Sequence, residues 1–368
     1  MRKECVLHAS WASQAKVNGF RMESVSALSA PKGVKFICDL TGGPANVALV
    51  TPMGTKYYGS KQEAVISWEG IMHKLMPLIG PLEEKTSSIS SEEERVKRDK
   101  IRKQGKKDLI TLTHNVAESF LVQGQYDLAL AGAVQSLKYA QEVYGKDSIE
   151  LVPAYLLLAQ SSLGTKNFRQ TQEYLGYANW SVLQASNPSL KVKSQLERTF
   201  GKNFAAQGKF QEASQHFAQD IYWMSLESGP EHVDAAPGYF HLASVFDAQN
   251  RIESSLALYD KVVDIWYKYL TTIRVAGEKT QQLEAAQCEE SLQMLVTILK
   301  AREQFLGENH IVTGEAQFTL GLMRLLIGKD KNIAKTNLSA AQSIYMTHLG
   351  PDHPSTVDVG GLLELLEQ

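Results

Sequence analysis

The sequence predicts an all-α protein. It reads as a stack of about six helical hairpins with a 42–43-residue period, preceded by a small N-terminal region of different character. Three observations carry this. Tyr126, Phe168, Phe210 and Ile252 recur at 42-residue intervals. Small residues keep the same register: Ala117, Ala159, Gly201 and Ala243 before that position, and Ala129, Thr171, Ala213 and Ser255 after it. Leu306-Gly307 and Leu349-Gly350 then close consecutive units 43 residues apart.

Composition narrows the classes. A chain of 368 residues has room for two or three domains, and 43% hydrophobic with 21% charged residues is ordinary for a globular protein. A net charge of −2 argues against a general nucleic-acid binder. Cys5, Cys38 and Cys288 are too few and too scattered for a disulfide framework, which suits a reducing compartment. No apolar run approaches the roughly 18 residues of a membrane span, so no membrane partner is expected. Residues 1–30 are basic and rich in Ala and Ser. With Glu4 early and no amphipathic face, they are expected to be a flexible arm rather than a transit peptide.

Residues 31–82 contain Tyr57-Tyr58-Gly59-Ser60, then Trp68 and His73, with Cys38 upstream. This resembles the MYND-type zinc finger, which holds two zinc ions with seven cysteines and one histidine. Tyr57, Tyr58, Ser60 and Trp68 match that frame, and Cys38 matches one ligand. Other ligand positions are filled by Thr41, Leu49, Pro52, Gly59, Glu63 and Met76 (or Leu75), and His73 is displaced. A structural zinc needs four ligands in a tetrahedron, so no metal or other cofactor is expected. Zinc supplies on the order of 10–16 kcal/mol of folding free energy to such domains, so another source of order is needed. Ile37, Val47, Leu49, Val50, Met72, Leu75 and Met76 are apolar. They predict a degenerate finger held by a small apolar core or docked on the first repeat.

Residues 83–107 form a charged linker or helix. Ser90 or Ser91 can cap a helix whose first turn holds Glu92, Glu93 and Glu94, which the helix dipole favours. Arg95, Lys97, Arg98, Lys100, Arg102, Lys103, Lys106 and Lys107 follow, opposed only by Asp99. Such a run is a solvated helical face or a contact for an acidic partner.

Residues 108–368 carry the hairpins. "VAESFLVQGQYDLALAGAVQSL" is the first and "FGKNFAAQGKFQEASQHFAQDIYW" the third. Small residues let the helices approach, and Phe120, Ser162, Phe204 and Phe246 fill the remaining space. Gly124, Lys166, Gly208 and Asn250 mark the turn inside each unit. A shortened first helix is expected near Leu270–Gln287 and a capping helix at "STVDVGGLLELLEQ", expected to pack back on the sixth unit. Trp180, Trp223 and Trp266, 43 residues apart, are expected to pack between repeats.

The hairpins resemble the tetratricopeptide repeat, which implies a solenoid whose first helices line a partner-binding groove. The 42-residue register places His114, Leu156, Arg198 and Phe240 on one groove row and Glu118, Gln160, Lys202 and Ser244 on the next. Chaperone-binding members of that family need Lys and Asn where His114 and Glu118 stand, and a glutamate would repel a carboxylate. No Gly-rich phosphate loop or paired catalytic constellation is present, so no enzymatic activity is expected.

The finger frame, "SSEEERVKR", "IELVPAYLLLAQSSLG" and "PGYFHLASVFDAQ" together resemble the ciliary MYND-finger proteins with tetratricopeptide repeats. That family is an accessory component of a single-headed inner dynein arm of the d type. The resemblance implies an axonemal location in cilia or flagella, after passage through the cytoplasm. It implies as partners an inner-arm dynein heavy chain and a second tetratricopeptide-repeat ciliary protein, and makes the tubulin wall or a dynein tail the candidate acidic partner of the basic run. A cytoplasmic kinesin-light-chain-like cargo adaptor is the alternative.

Overall fold

A computed structural model describes residues 20–25, 35–83, 92–276, 283–328 and 330–367. The chain divides into two units, Met1–Ser181 and Val182–Gln368.

The first unit begins with an antiparallel sheet of β1 (Arg21–Ser24), β2 (Val47–Thr51) and β3 (Gly54–Tyr58), in that order. The β-branched run of β2 suits a pleated strand, and Pro52-Met53 turns it into β3. Pairing of Met22 with Leu49 and of Val47 with Tyr58 fixes the register. Ser60 then caps α1 (Lys61–Ser67), its Oγ accepting from Glu63 N at 3.2 Å. A π-helical turn, Trp68–Met72, leads into α2 (His73–Glu83). One face of this module closes its own core of Phe20, Cys38, Leu49, Tyr58 and Ala64 under Trp68. Its other face sends Ile71, Met72, Leu75, Met76 and Ile79 against Leu109, Ala131 and Tyr139 of the first repeat. A private apolar core and docking on the repeat are thus both present.

Two expectations change here. Arg21–Ser24 is a strand, not part of a flexible arm; residues 1–19 and 26–30 of that arm lie outside the described residues. The sequence hid β1 because its four residues show no apolar alternation and its order comes from pairing with β2. The three strands are also the departure from a purely helical chain.

A single helix, α3 (Glu92–Val122), runs from the charged segment into the first repeat. The charged segment is thus the helical alternative of the linker-or-helix expectation, and no element ends at residue 107. Then follow α4 (Tyr126–Tyr144), α5 (Val152–Gly164) and α6 (Phe168–Gln184), the last crossing the unit boundary. The second unit continues with α7 (Leu190–Ala206), α8 (Phe210–Ser228), α9 (Ala236–Ala248), α10 (Ile252–Ala276), α11 (Ala285–Leu306), α12 (Ile311–Ile327), α13 (Lys331–His348) and α14 (Pro354–Glu367). Consecutive helices pack as α3 on α4, α7 on α8, α9 on α10 and α12 on α13. These are helical hairpins of the tetratricopeptide type, and the helical-repeat fold class read from the sequence holds, whereas the finger-like character expected of the N-terminal region is not confirmed. The register residues Ala117, Ala159, Ala243, Ala129, Thr171, Ala213 and Ser255 are all buried, and a Cβ on Gly201 would stand 2.6 Å from the Phe217 ring.

The fifth unit departs from the pattern. Leu270 to Ala276 extends α10, and α10 packs directly on α12, so no separate short first helix exists among the described residues there. In the cap, Val359 and Leu363 are buried against the sixth hairpin, as expected of a helix that packs back.

The turn inside each of the first four hairpins rests on one left-handed residue: Gly124 (φ +73°), Lys166 (φ +61°), Gly208 (φ +74°) and Asn250 (φ +60°). Side chains other than Gly pay roughly 1–2 kcal/mol there. Lys166→Gly is therefore expected to raise stability by about 1 kcal/mol, net of the greater freedom of glycine in the unfolded chain. A urea melt checks it, and the midpoint moves upward.

Candidate functional site

The expected groove residues fall in both units. In the first, His114 and Glu118 lie one turn apart on α3, both part-buried and both engaged by neighbours. Leu156 and Gln160 lie on α5, which packs on α3 and α4. Leu156 is 4% exposed, so it belongs to the core rather than to an open wall. The reason is visible in α5, where Val152, Ala154 to Ala159, Ser161 and Ser162 are all buried.

In the second unit, Arg198 and Lys202 lie on α7, and Phe240 and Ser244 on α9. Arg198 is not offered to a partner. Its Nε donates to Asp220 Oδ2 at 2.7 Å, and its Nη2 donates to Asp220 Oδ1 at 3.1 Å and to the Asp234 carbonyl at 3.3 Å. Ser194 Oγ donates to the same carboxylate at 2.5 Å. Asp220 is fully enclosed and lies on α8, beneath Gly238 of α9, where a Cβ would stand 2.9 Å from Oδ2. Lys202 lies 3.9 Å from Glu290 of α11. Phe240 packs on Tyr259 at 5.9 Å, and Ser244 Oγ donates to the Phe240 carbonyl at 2.9 Å. Within this unit the expected groove residues are therefore largely satisfied by the chain itself, because α11 lies against α9 and meets α7 through Lys202.

His241, a helical histidine that the sequence suits to a groove or surface position rather than to a catalytic base, shares this cluster. Its ring stacks on Phe217 at 5.3 Å. Part of the residue reaches solvent, but Nε2 is enclosed without a hydrogen-bond partner. Burial, reinforced by the charges of Lys202 and Arg198, holds its pKa well below the ordinary histidine value of 6.5. The folded state therefore takes up this proton later than the unfolded state does. Stability is full above pH 6.5 and falls as the pH drops from there toward the depressed folded value. Melting temperature followed from pH 7.5 to about 5 is expected to decline, and His241→Phe to flatten the decline.

The basic run lies along the exposed first half of α3. Lys106 Nζ donates to Glu142 at 2.7 Å, and Lys107 stands 6.0 Å from the centre of the Tyr144 ring. Arg95 and Arg98 make side-chain ion pairs with Glu92 and Glu94 at 3.8 and 3.9 Å. Lys97, Lys100, Arg102 and Lys103 are exposed. Beside them, Ile79, Leu82, Leu109, Tyr139 and Val143 line a recess of about 410 Å³, with Asp99, Arg102, Lys103, Lys106 and Glu142 on its rim.

In the N-terminal module, several positions aligned with zinc ligands meet in space. Cys38 Sγ donates to Glu63 Oε2 at 3.0 Å, and Gly59 N donates to the same oxygen at 3.0 Å. Thr41 N reaches Cys38 Sγ at 3.4 Å. A carboxylate and a thiol thus join the turn after Tyr58 to the Cys38 loop by hydrogen bonds. His73 lies apart, its Nδ1 2.7 Å from the Trp68 carbonyl. Among the described residues, no group of three or more His, Cys, Asp or Glu is placed to hold a metal ion, and no helix is long and apolar enough to cross a membrane.

The three tryptophans separate. Trp266 is 2% exposed and packs as expected, whereas Trp180 is 61% exposed. Trp223 is intermediate, with Lys193 Nζ 4.7 Å from its ring centre.

Solved structures with a distant likeness to the chain can be named. No family model matches it. Among solved structures, it is similar to a Podosopora anserina protein described as a kinesin light chain with nearly identical TPR-like repeats. The two share 14% identity over 65% of this chain and 96% of that one, with a TM-score of 0.35. BtubC (BKLC) from P. vanneervenii shares 16% identity over 61% of this chain and 92% of its own, with a TM-score of 0.33. The apo form of RapI shares 15% over 70% and 71%, with a TM-score of 0.38. At scores this low the likeness carries no weight for partner or activity, and the repeat architecture rests on the helices themselves.

Proposed function

We propose that this chain is a non-catalytic docking subunit of an axonemal inner dynein arm. It holds a dynein heavy chain on the doublet microtubule together with a second tetratricopeptide-repeat protein. The observation that supports the reading is the pairing of helical hairpins with a small sheet-and-helix module seated on the first of them. That pairing is the combination on which the resemblance to ciliary MYND-finger repeat proteins rests. The mechanism is geometric. A preorganised helical surface lowers the entropy lost when large partners assemble. The basic half of α3 supplies an attractive field for an acidic partner, such as tubulin or a dynein tail.

Demembranated axonemes test this. The chain is expected to stay with them at low salt and to leave in high salt with inner-arm dynein. Release with the detergent-soluble fraction would favour the cytoplasmic cargo-adaptor reading instead.

A further inference from the structure

We propose that the outer side of the capping helix α14 pairs with the same helix of a second copy of this chain, in a twofold antiparallel contact centred on Gly361.

The start of α14 repeats the start of α12, 43 residues earlier. Thr313 Oγ1 donates to the Gly307 carbonyl at 2.9 Å, and Thr356 Oγ1 donates to the Gly350 carbonyl at 2.9 Å. His310 Nδ1 accepts from Val312 N at 3.3 Å, and His353 Nδ1 accepts from Ser355 N at 3.2 Å. By its local geometry, α14 is therefore the first helix of a further hairpin.

In α12, one side receives the second helix of the hairpin, α13. A Cβ on Gly314 would stand 2.9 Å from Ile344, and one on Gly321 would stand 2.8 Å from Leu338. Phe318 lies between them, 3% exposed, with the Tyr345 ring at 6.4 Å. The equivalent positions of α14 are Val357, Gly361 and Glu364. Val357 is 60% exposed, and a Cβ on Gly361 would meet nothing within 4 Å. Leu365, the equivalent of the buried Leu322, is 67% exposed. Val359 and Leu363 are buried on the other side of the helix. Among the described residues, the side that a helix covers in α12 is thus open in α14. Its fitting occupant is an α-helix.

Self-complementarity chooses which helix. Val357, Gly361 and Leu365 stand four residues apart, on one ridge of α14. Two such ridges packed antiparallel place Val357 of each copy against Leu365 of the other, with the two Gly361 residues in the middle. Residue i meets j and j meets i, as an isologous contact requires. Glycine weakens a helix interior, and nothing within the chain crowds this one. At the crossing point it lets two backbones approach. Charge permits the same pairing. Glu364, exposed on this side, falls opposite Asp358 of the second copy. Arg274 already holds the Asp358 carboxylate at 2.9 and 3.0 Å, so Glu364 meets an ion pair and not a bare like charge. One helix per copy makes a contact smaller than the roughly 1,200 Å² of a standard interface, so a reversible dimer is expected.

Sedimentation equilibrium of the full-length chain tests this. The average mass is expected to climb from that of one chain toward that of two, with a dissociation constant on the order of 10–100 μM. V357E/L365E changes two exposed positions. It is expected to weaken association at least about tenfold while circular dichroism and melting temperature stay unchanged. Gly361→Leu is expected to weaken association as much, while its melting temperature holds or rises, because leucine is the better helix former at an open position. Gly361→Cys is expected to give, under mild oxidation, a disulfide-linked dimer that the unaltered chain does not form under the same treatment. A chain still monomeric at about ten times that constant overturns the proposal. So does a dimer that survives V357E/L365E or Gly361→Leu, or the absence of a covalent dimer from Gly361→Cys. The measurement contains no axoneme, so its failure and the failure of the docking role are separate results.

Discussion

Replacing Asp220 by Asn is expected to cost the second unit roughly 3–5 kcal/mol. Asp220 is fully buried and receives three donors, from Ser194 and from two nitrogens of Arg198. The substitution removes the charge that neutralises Arg198 while leaving the guanidinium mostly enclosed, with 16% of its side chain exposed. It also presents an amide NH₂ to donors that need an acceptor. Arg198→Met is expected to cost a similar amount, since it strands the carboxylate. The double variant R198M/D220L is expected to recover most of the loss, because an apolar pair needs no counter-charge and Ser194 can bond back to its own helix. Urea melts of the unaltered chain, R198M, D220L and R198M/D220L form a double-mutant cycle. A near-additive double variant would show that the pair is not coupled.

The second large effect concerns the N-terminal module. A Cβ on Gly70 would stand 2.8 Å from the Leu128 carbonyl oxygen and 2.9 Å from Ala131 Cβ. The obstacle is helix backbone on α4, so no side-chain rotation relieves it. Gly70→Val is expected to cost about 1–3 kcal/mol and to lift the module from the first repeat. Hydrogen exchange should then rise across Ile71–Ile79 and the facing residues Leu109, Ala131 and Tyr139, while α7 to α14 stay protected. Unchanged protection on both faces would mean that the contact is dispensable.

The 42-residue register was legible because it is enforced by close packing, which small residues alone permit. The left-handed turns were legible for a related reason, since each must fall at the same point of the repeat. The tryptophans diverge through a difference of one residue, so Trp266 packs as expected and Trp180 does not. They recur every 43 positions on a 42-residue repeat, so each is turned by about 100° from its predecessor around the helix. Trp266 shares its register with Val182 and Met224, both buried, whereas Trp180 shares its own with Tyr222, which is 52% exposed.

Asp220 left a trace that could have been followed. Its register partners Ser136, Ala178 and Val262 are all buried, so a carboxylate there had to find a counter-charge inside the unit. That the counter-charge is Arg198, an expected groove residue, is decided by three-dimensional proximity and not by spacing. The same holds for Lys202 and Glu290, which a helix far along the chain brings together. The recess beside α3 was half visible. Its cations stood out as a run, while its apolar floor comes from α2 and α4, which composition does not connect.

The central claim is that this chain works by being occupied by other proteins at an axonemal site. Lysine-directed crosslinking of intact axonemes, followed by identification of the joined peptides, tests it most directly. Lys97, Lys100 and Lys103 are exposed on α3 and open to the reagent. They are expected to join to acidic segments of an inner-arm dynein heavy chain, of tubulin or of a second repeat protein. If these lysines join only to one another, or to soluble cargo and never to an axonemal protein, the docking role is wrong.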